Sequence, residues 1–390
     1  MTVKRLADIP GFSIDEVARA AGSDPDVLRM ENLDSDLAPP PSAIAATRSS
    51  LDRDDANSYL PFSGSLALRS AVAERLYRQT GHRYSADEVV ITCGATEGMF
   101  DALLATTDPG DEVILTDPTY AGMINRVRLA GAVPKFAHFE AAGGEWRLNL
   151  DALRSAVTRR TRALFIMNPS MPSGAVLDRS EWEAIVQICR ENRLWLIYNA
   201  AMERILFGGR AYFHPATLPG MRERTITIGS VSKEFRMIGW RVGWVAGPAA
   251  ILQDITRVHI YNVVTPAGIS QAGALAALQA PPEELKPSLE EWERRHDVVV
   301  EQLRNFHVMP AGGGWSLLVQ VADLGLDSVS ASKRLLEKGK VAATPMRHWG
   351  QRNADQFIRL VFSNEPVERL RKLRGRFELA FGKTIRGGTA

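Results

Sequence analysis

The sequence predicts an α/β fold, in which a large unit carries a mostly parallel sheet of roughly seven strands between helices and a smaller α+β unit completes the chain. Apolar runs of strand length alternate with stretches of helical spacing from about residue 65 to residue 230. Those runs are continuously apolar rather than alternating, as expected where helices cover both faces of a parallel sheet. From about residue 286 the pattern changes to a charged helix, a glycine turn and separated strands. These observations place the large unit at 45–285 and form the smaller one from 1–44 together with 286–390.

In order, the proline cluster LAPPPSA, Leu37 to Ala43, reads as a segment crossing between the two units. Residues 65–79 (SLALRSAVAERLYRQ) have the spacing of a helix, followed by the strand EVVITC, the helix ATEGMFDALLATT and the strand EVILTD. A helix at 122–130, the strand VPKFAHF, a helix at 149–158 and the strand RALFIMN continue the βαβ rhythm. A helix at 179–192 and the strands LWLIYN and TITIGS complete it. The smaller unit then offers the charged helix LEEWERRHDVVVEQLRNF, the turn GGGW, the strand WSLLVQV, a helix, the strand QFIRLVFS and a closing helix.

With 390 residues, 45% of them hydrophobic, the chain can bury a large core. Its 47 basic and 45 acidic residues leave a net charge of +2, with no footprint for nucleic acid or an anionic membrane. The two cysteines, Cys93 and Cys189, have no metal-ligand spacing, which argues against a disulfide framework or a metal site and fits a reducing cytoplasm. The first residues, MTVKRLADIPGFSIDEV, lack the apolar stretch of a secretion signal, and no apolar run approaches about 18 residues. A cytoplasmic protein is expected.

In an open α/β sheet, ligands bind beyond the carboxyl ends of the strands. There the sequence delivers Gly94-Ala95-Thr96 into a helix start, then Tyr120, Asn168, Asn199, and finally Ser230 with Lys233. Small residues at a helix N-terminus suit an anion, because backbone N–H groups and a hydroxyl face it. In SVSKEFRMIGWRVGW, Ser230 and Arg241 can complete such a site with a neutral donor and a fixed cation. Lys233 lies between a buried-looking strand and the apolar Met237, Ile238 and Trp240, where desolvation and Arg241 favour a neutral, nucleophilic amine. A lysine beside a phosphate site suggests a Schiff base with a phosphorylated aldehyde. Ser230-Val-Ser-Lys233 also fits the Ser-x-x-Lys pattern of penicillin-binding acyl transferases. That reading lacks an S-D-N element, and its nearest match to K-T-G is Lys383-Thr384-Ile385.

Together these motifs resemble the class I/II, aspartate-aminotransferase-like group of fold-type I pyridoxal 5'-phosphate (PLP) enzymes, from about Leu33 to the C-terminal helix. The most specific matches are Ser230-x-x-Lys233 with Arg241 in GWRVGW, and NPSMPSG, Asn168 to Gly174, which looks like the family's N-P-x-x-P-[ST]-G turn. The resemblance implies that Lys233 carries PLP as a Schiff base and shuttles the substrate's Cα proton. It implies that Ala95, Thr96, Ser230 and Arg241 hold the phosphate, that Tyr120 stacks on the ring, and that Asn168 donates to the ring 3-oxygen. Tyr59, in NSYLPFSG, matches a tyrosine that reaches the phosphate of a neighbouring subunit, implying a homodimer with shared sites. Arg359, in QFIRLVFS, matches the clamp for the substrate α-carboxylate. The implied reaction moves an amino group between an amino acid and a 2-oxo acid. Arg236, Arg347 and His348 are candidates for lining the distal pocket.

The family's pattern breaks at Asn199-Ala200-Ala201-Met202, where Asp-Glu-x-Tyr is usual. The usual aspartate holds a protonated pyridine nitrogen, which makes the ring an electron sink. Asn199 can bond that nitrogen without stabilising its proton, and Met202 has no hydroxyl for the 3-oxygen. Leu33 in ENLDSDLAPP also stands where the family often has glycine. The expectation is an aminotransferase with a substituted ring contact. The alternatives are a PLP-dependent lyase, elimination or replacement enzyme, and an impaired relative kept for binding.

Overall fold

Apolar runs that are buried on both faces become the central strands of a sheet, and thirteen strands organise the described residues. The computed structural model describes residues 3, 6–11 and 13–383. The remaining parts of the ranges 1–44 and 286–390 lie outside the described residues, as do Thr384 and Ile385. The strands are β1 (Leu28–Met30), β2 (Val89–Thr92), β3 (Glu112–Asp117), β4 (Val133–Ala142), β5 (Glu145–Leu148), β6 (Thr161–Met167) and β7 (Trp195–Asn199). They continue with β8 (Thr225–Ser230), β9 (Gly243–Ala246), β10 (Val308–Met309), β11 (Ser316–Gln320), β12 (Val341–Pro345) and β13 (Phe357–Val361). The helices are α1 (Ser13–Ala21), α2 (Pro41–Ser50), α3 (Leu66–Thr80), α4 (Gly94–Thr106), α5 (Ala121–Leu129), α6 (Leu150–Ser155) and α7 (Arg179–Glu191). After them come α8 (Ala249–Asn262), α9 (Gly268–Gln279), α10 (Lys286–Gln302), α11 (Ser328–Gly339), α12 (Val367–Leu370) and α13 (Leu373–Phe381).

The larger sheet has eight strands in the order β2-β9-β8-β7-β6-β3-β4-β5. Strands β8, β7, β6, β3 and β4 run parallel to one another. Strand β9 is antiparallel to both β2 and β8, so those two point the same way. The eighth strand, β5, folds back on β4 as a hairpin through Gly143 and Gly144, both at positive φ. It extends the expected seven-stranded arrangement at its edge. One face of the sheet is covered by α4, α5 and α8 through Met99, Leu103, Ile124, Val127 and Ile255. The other carries α7 through Trp182 and Ile185. That double cover is why these strands read as unbroken apolar runs.

The smaller sheet has the order β1-β12-β13-β11-β10. Its outer strand β1, from the N-terminal segment, pairs parallel to β12, so the two ends of the chain share one sheet. The proline cluster serves two purposes. Residues 37–40 cross without regular structure, and Pro41 then opens α2, where a missing N–H is harmless. No helix among the described residues is long and apolar enough to cross a membrane.

Candidate active site

Because β2, β3, β6, β7 and β8 point the same way, their carboxyl ends meet on one edge of the sheet. A cavity of about 310 Å³ opens there, lined by Ala95, Thr96, Tyr120, Asn199, Ser230, Lys233, Arg241 and Arg359 among others. Eight of the residues read from strand ends and motifs therefore converge.

The anion end is built by α4. Its N-cap residue, Cys93, contributes no side-chain cap, so the first-turn N–H groups around Ala95 and Thr96 remain for a ligand. Arg241 sits in the left-handed region at φ 53°. Its guanidinium donates to Ile238 O at 3.1 Å and, more weakly, to Ser232 Oγ and Cys93 O at 3.4 Å. Gly94, at φ +75°, is required here, since a Cβ would run into the Arg241 guanidinium. Gly243 on β9 is equally constrained, because a Cβ would press on Ala95 N at 2.6 Å.

Lys233 follows the end of β8 and faces the same cavity. Its Nζ donates to Leu33 O at 2.7 Å and lies 5.0 Å from the centre of the Trp315 ring. Burial is the largest influence on its amine and lowers it from 10.5 to about 7. Asp34 opposes that fall, while Arg359 and Arg241 add to it. Leu33 thus enters through its main chain, which accepts from the lysine.

Arg359 is fully buried on β13. It donates to Glu31 O and Thr344 Oγ1, at 2.5 and 3.0 Å, and its guanidinium stacks 4.7 Å from the Trp349 ring centre. Its Nε has no hydrogen-bond partner among the described residues. Burial lowers its pKa to about 10, which still leaves a cation at neutral pH. An anion in the cavity would compensate a charge that the fold alone leaves under-partnered.

Asn199, the last residue of β7, is buried, and its Oδ1 accepts from Ala201 N at 3.0 Å. Its Nδ2 is directed to the Met99 sulfur at 3.4 Å, a weak acceptor. The amide therefore does make a turn contact, and the group left for a ligand is the NH₂. Tyr120 packs against Trp349 at 6.2 Å between ring centres. Its loop is tied down by Thr119 N donating to Trp349 O and by Asp117 Oδ2 accepting from Gln351 N and Arg352 N.

Other expected residues are placed elsewhere. Asn168 is buried beside the cavity rather than lining it, and its Oδ1 accepts from Leu177 N at 2.8 Å. Tyr59 is 83% exposed and takes no part in the cavity. Arg236, Arg347 and His348 do not line the cavity either. Arg236 donates to Ala38 O, Arg347 pairs with Asp327 and Asp355, and Arg347 and His348 flank a separate groove between α1 and α11. Met202 is buried outside the lining.

Sequence reasoning missed Met99, Met167, Met171, Ser232, Asp15 and a charged network beneath the lysine. In that network Arg75 of α3 pairs with Glu234 at 2.7 Å and Glu203 at 3.5 Å, while Gln79 and Tyr212 donate to Glu203. It anchors the turns after β7 and β8 to one helix. Ser232 was legible as a second hydroxyl in SVSK, whereas the others had no local signal. Between α4 and α8, Glu97, Asp101 and His259 are clustered. His259 Nδ1 lies 2.5 Å from Glu97 Oε1, a hydrogen-bond separation too short to hold an ion between them.

A family model described as aminotransferase class I and II matches residues 28–377. The arginine–pyruvate transaminase of Pseudomonas aeruginosa is 32% identical over 346 residues, 88% of this chain and 87% of that one. An aspartate aminotransferase of Rhizobium meliloti is 32% identical over 325 residues, 80% of this chain and 78% of its own. Among solved structures, N-succinyldiaminopimelate aminotransferase from Mycobacterium tuberculosis superposes with a TM-score of 0.92 at 30% identity, covering 97% of this chain and 100% of the other.

Proposed function

The chain belongs to the class I and II aminotransferase family and is an enzyme of that type, and we propose that it works with pyridoxal 5'-phosphate bound at Lys233. The observation that carries this reading is the lysine itself, with its amine lowered to about 7 in a cavity between two arginine anchors. When bound, the cofactor accepts the donor's amino group and delocalises the electron pair left at Cα.

The residues present fit that group. Arg241, Ser230, Thr96 and the N–H of Ala95 form a cradle for a phosphate, with Gly94 providing the close approach. Tyr120 would supply a flat face for the ring, and Asn168, just behind the lining with its Oδ1 taken by Leu177 N, would have its NH₂ to give to the ring oxygen. Asn199 offers an NH₂ rather than a carboxylate, so it would donate to the ring nitrogen without adding charge. The Lys233 amine would be the base that moves the donor's Cα proton, and Arg359 would orient the donor by its α-carboxylate.

The exposure of Tyr59 supports its reaching a second protomer's phosphate, and hence a homodimer with shared sites. We place the enzyme in the cytoplasm, with no nucleic acid or membrane partner. The division into 45–285 and 1–44 with 286–390 is supported by the two separate sheets. The substrates are an amino acid and a 2-oxo acid. The relatives' names differ in their donors, so none is carried over by name.

Protein mixed with PLP should gain a visible absorption band that borohydride bleaches and that Lys233→Ala abolishes. A protein that takes up no PLP refutes the reading. Assaying amino-acid product alongside keto acid separates transamination from elimination, which releases ammonia.

A further inference from the structure

We propose that Asp15 receives a cationic group at the far end of the amino donor's side chain, so that guanidinium- or ammonium-bearing amino acids are the preferred donors. This deepens the aminotransferase reading and rests on it.

The argument begins with the charges that face the cavity. Its lining carries three cations, Lys233, Arg241 and Arg359. Each already has a task, respectively the reacting amine, the phosphate and the α-carboxylate. A donor with a second carboxylate would find no further cation among the described lining residues. The arginine and histidine candidates at 236, 347 and 348 are engaged elsewhere or line the other groove.

Asp15 is the single carboxylate among the described lining residues. The side chain makes no ion pair with a described residue, and Arg19, one turn later, donates to the main-chain oxygen of Asp15 instead. A carboxylate in the first turn of a helix also complements the helix dipole. Glu16 meets that need equally, yet it lines the outer groove between α1 and α11, whereas the exposed Asp15 is among the residues that line the cavity. Helix α1 is held in this orientation by Ile14, which packs against the main core. The neighbouring Leu33 and Met171 present apolar surface to the same space. Together they suit a methylene stem that ends in a charge, the shape of a long basic side chain.

The test uses the PLP-loaded full chain with pyruvate and, separately, 2-oxoglutarate as acceptors. Keto acid formed from L-arginine, L-lysine, L-leucine and L-glutamate is measured. The basic donors should have the highest kcat/KM. In Asp15→Asn the arginine-to-leucine ratio of kcat/KM should fall about tenfold, mainly through KM, as expected for a lost charge-assisted contact. Asp15→Glu should restore part of the ratio, and Asp15→Lys should move preference toward L-glutamate. A wild type that favours L-glutamate, or a ratio unchanged in Asp15→Asn because all donors fall together, overturns the proposal. Absence of keto acid from every donor would instead remove the aminotransferase reading, and this proposal with it.

Discussion

Raising the pH of the cofactor-free protein through 7 should switch on carbonyl addition at Lys233. With the ordinary lysine value of 10.5, about 3 in 10⁴ amines are neutral at pH 7. With the amine at about 7, roughly half are neutral, so the nucleophile is roughly 10³-fold more abundant. Burial supplies most of this change, and Asp34 partly reverses it. The assay is stopped-flow mixing of apoprotein with PLP, following visible absorbance from about pH 5 to about pH 9. The second-order rate constant should rise with a midpoint near 7, and Asp34→Asn should move the midpoint lower. The same shift has a stability signature. Above about 7 the unfolded chain holds a proton that the folded lysine has released, so rising pH favours the folded state until about 10.5. The Tm advantage of Lys233→Met over the wild type should therefore shrink across that window. A rate that keeps rising through pH 9, as for a solvated lysine, would refute the reasoning.

Further outcomes follow from other residues. Asn199→Asp should quicken the first half-reaction roughly tenfold in single-turnover absorbance measurements, since a charge-assisted bond replaces a neutral one. No gain on any donor would mean that the site is adapted to the amide. Arg75→Met should lower stability by about 3–5 kcal/mol in urea unfolding, because Glu203 and Glu234 are left buried without their cation. A change below about 1 kcal/mol would show the network to be solvated. Gly94→Ala should weaken PLP binding as well as stability, because the new methyl group meets the Arg241 guanidinium; equilibrium titration of the visible band measures it. Asp101 is raised to about 8, chiefly by burial and then by Glu97. From about pH 4 to about 8 the folded chain holds a proton that the unfolded chain releases, so this group lowers stability as pH rises. Asp101→Asn should flatten that part of the Tm profile.

What the sequence revealed, and what it did not, follows from where each residue's information lies. Strands β2, β3, β6, β7 and β8 were legible because both faces are buried, and so were the residues just beyond them. Strand β9 was hidden in GWRVGW, since Gly243 is present for the approach of α4 and carries no strand preference. Strand β5 is a four-residue alternation and β1 only three residues long, too short for a period to emerge. In the site, side chains next to strand ends could be read locally. Asp15 and the Leu33 carbonyl could not, because they arrive from the N-terminal segment, remote in sequence, and one of them acts through its backbone. Asn199 shows the boundary within a single residue. Its identity indicated that charge was missing beside the expected ring nitrogen, but an amide has two unlike ends. Which end faces inward is decided by the Ala201 N–H, which engages Oδ1 and leaves a donor where a carboxylate would have offered an acceptor. A ring nitrogen bound there would therefore be favoured unprotonated, and the gain expected from Asn199→Asp depends on reversing that polarity.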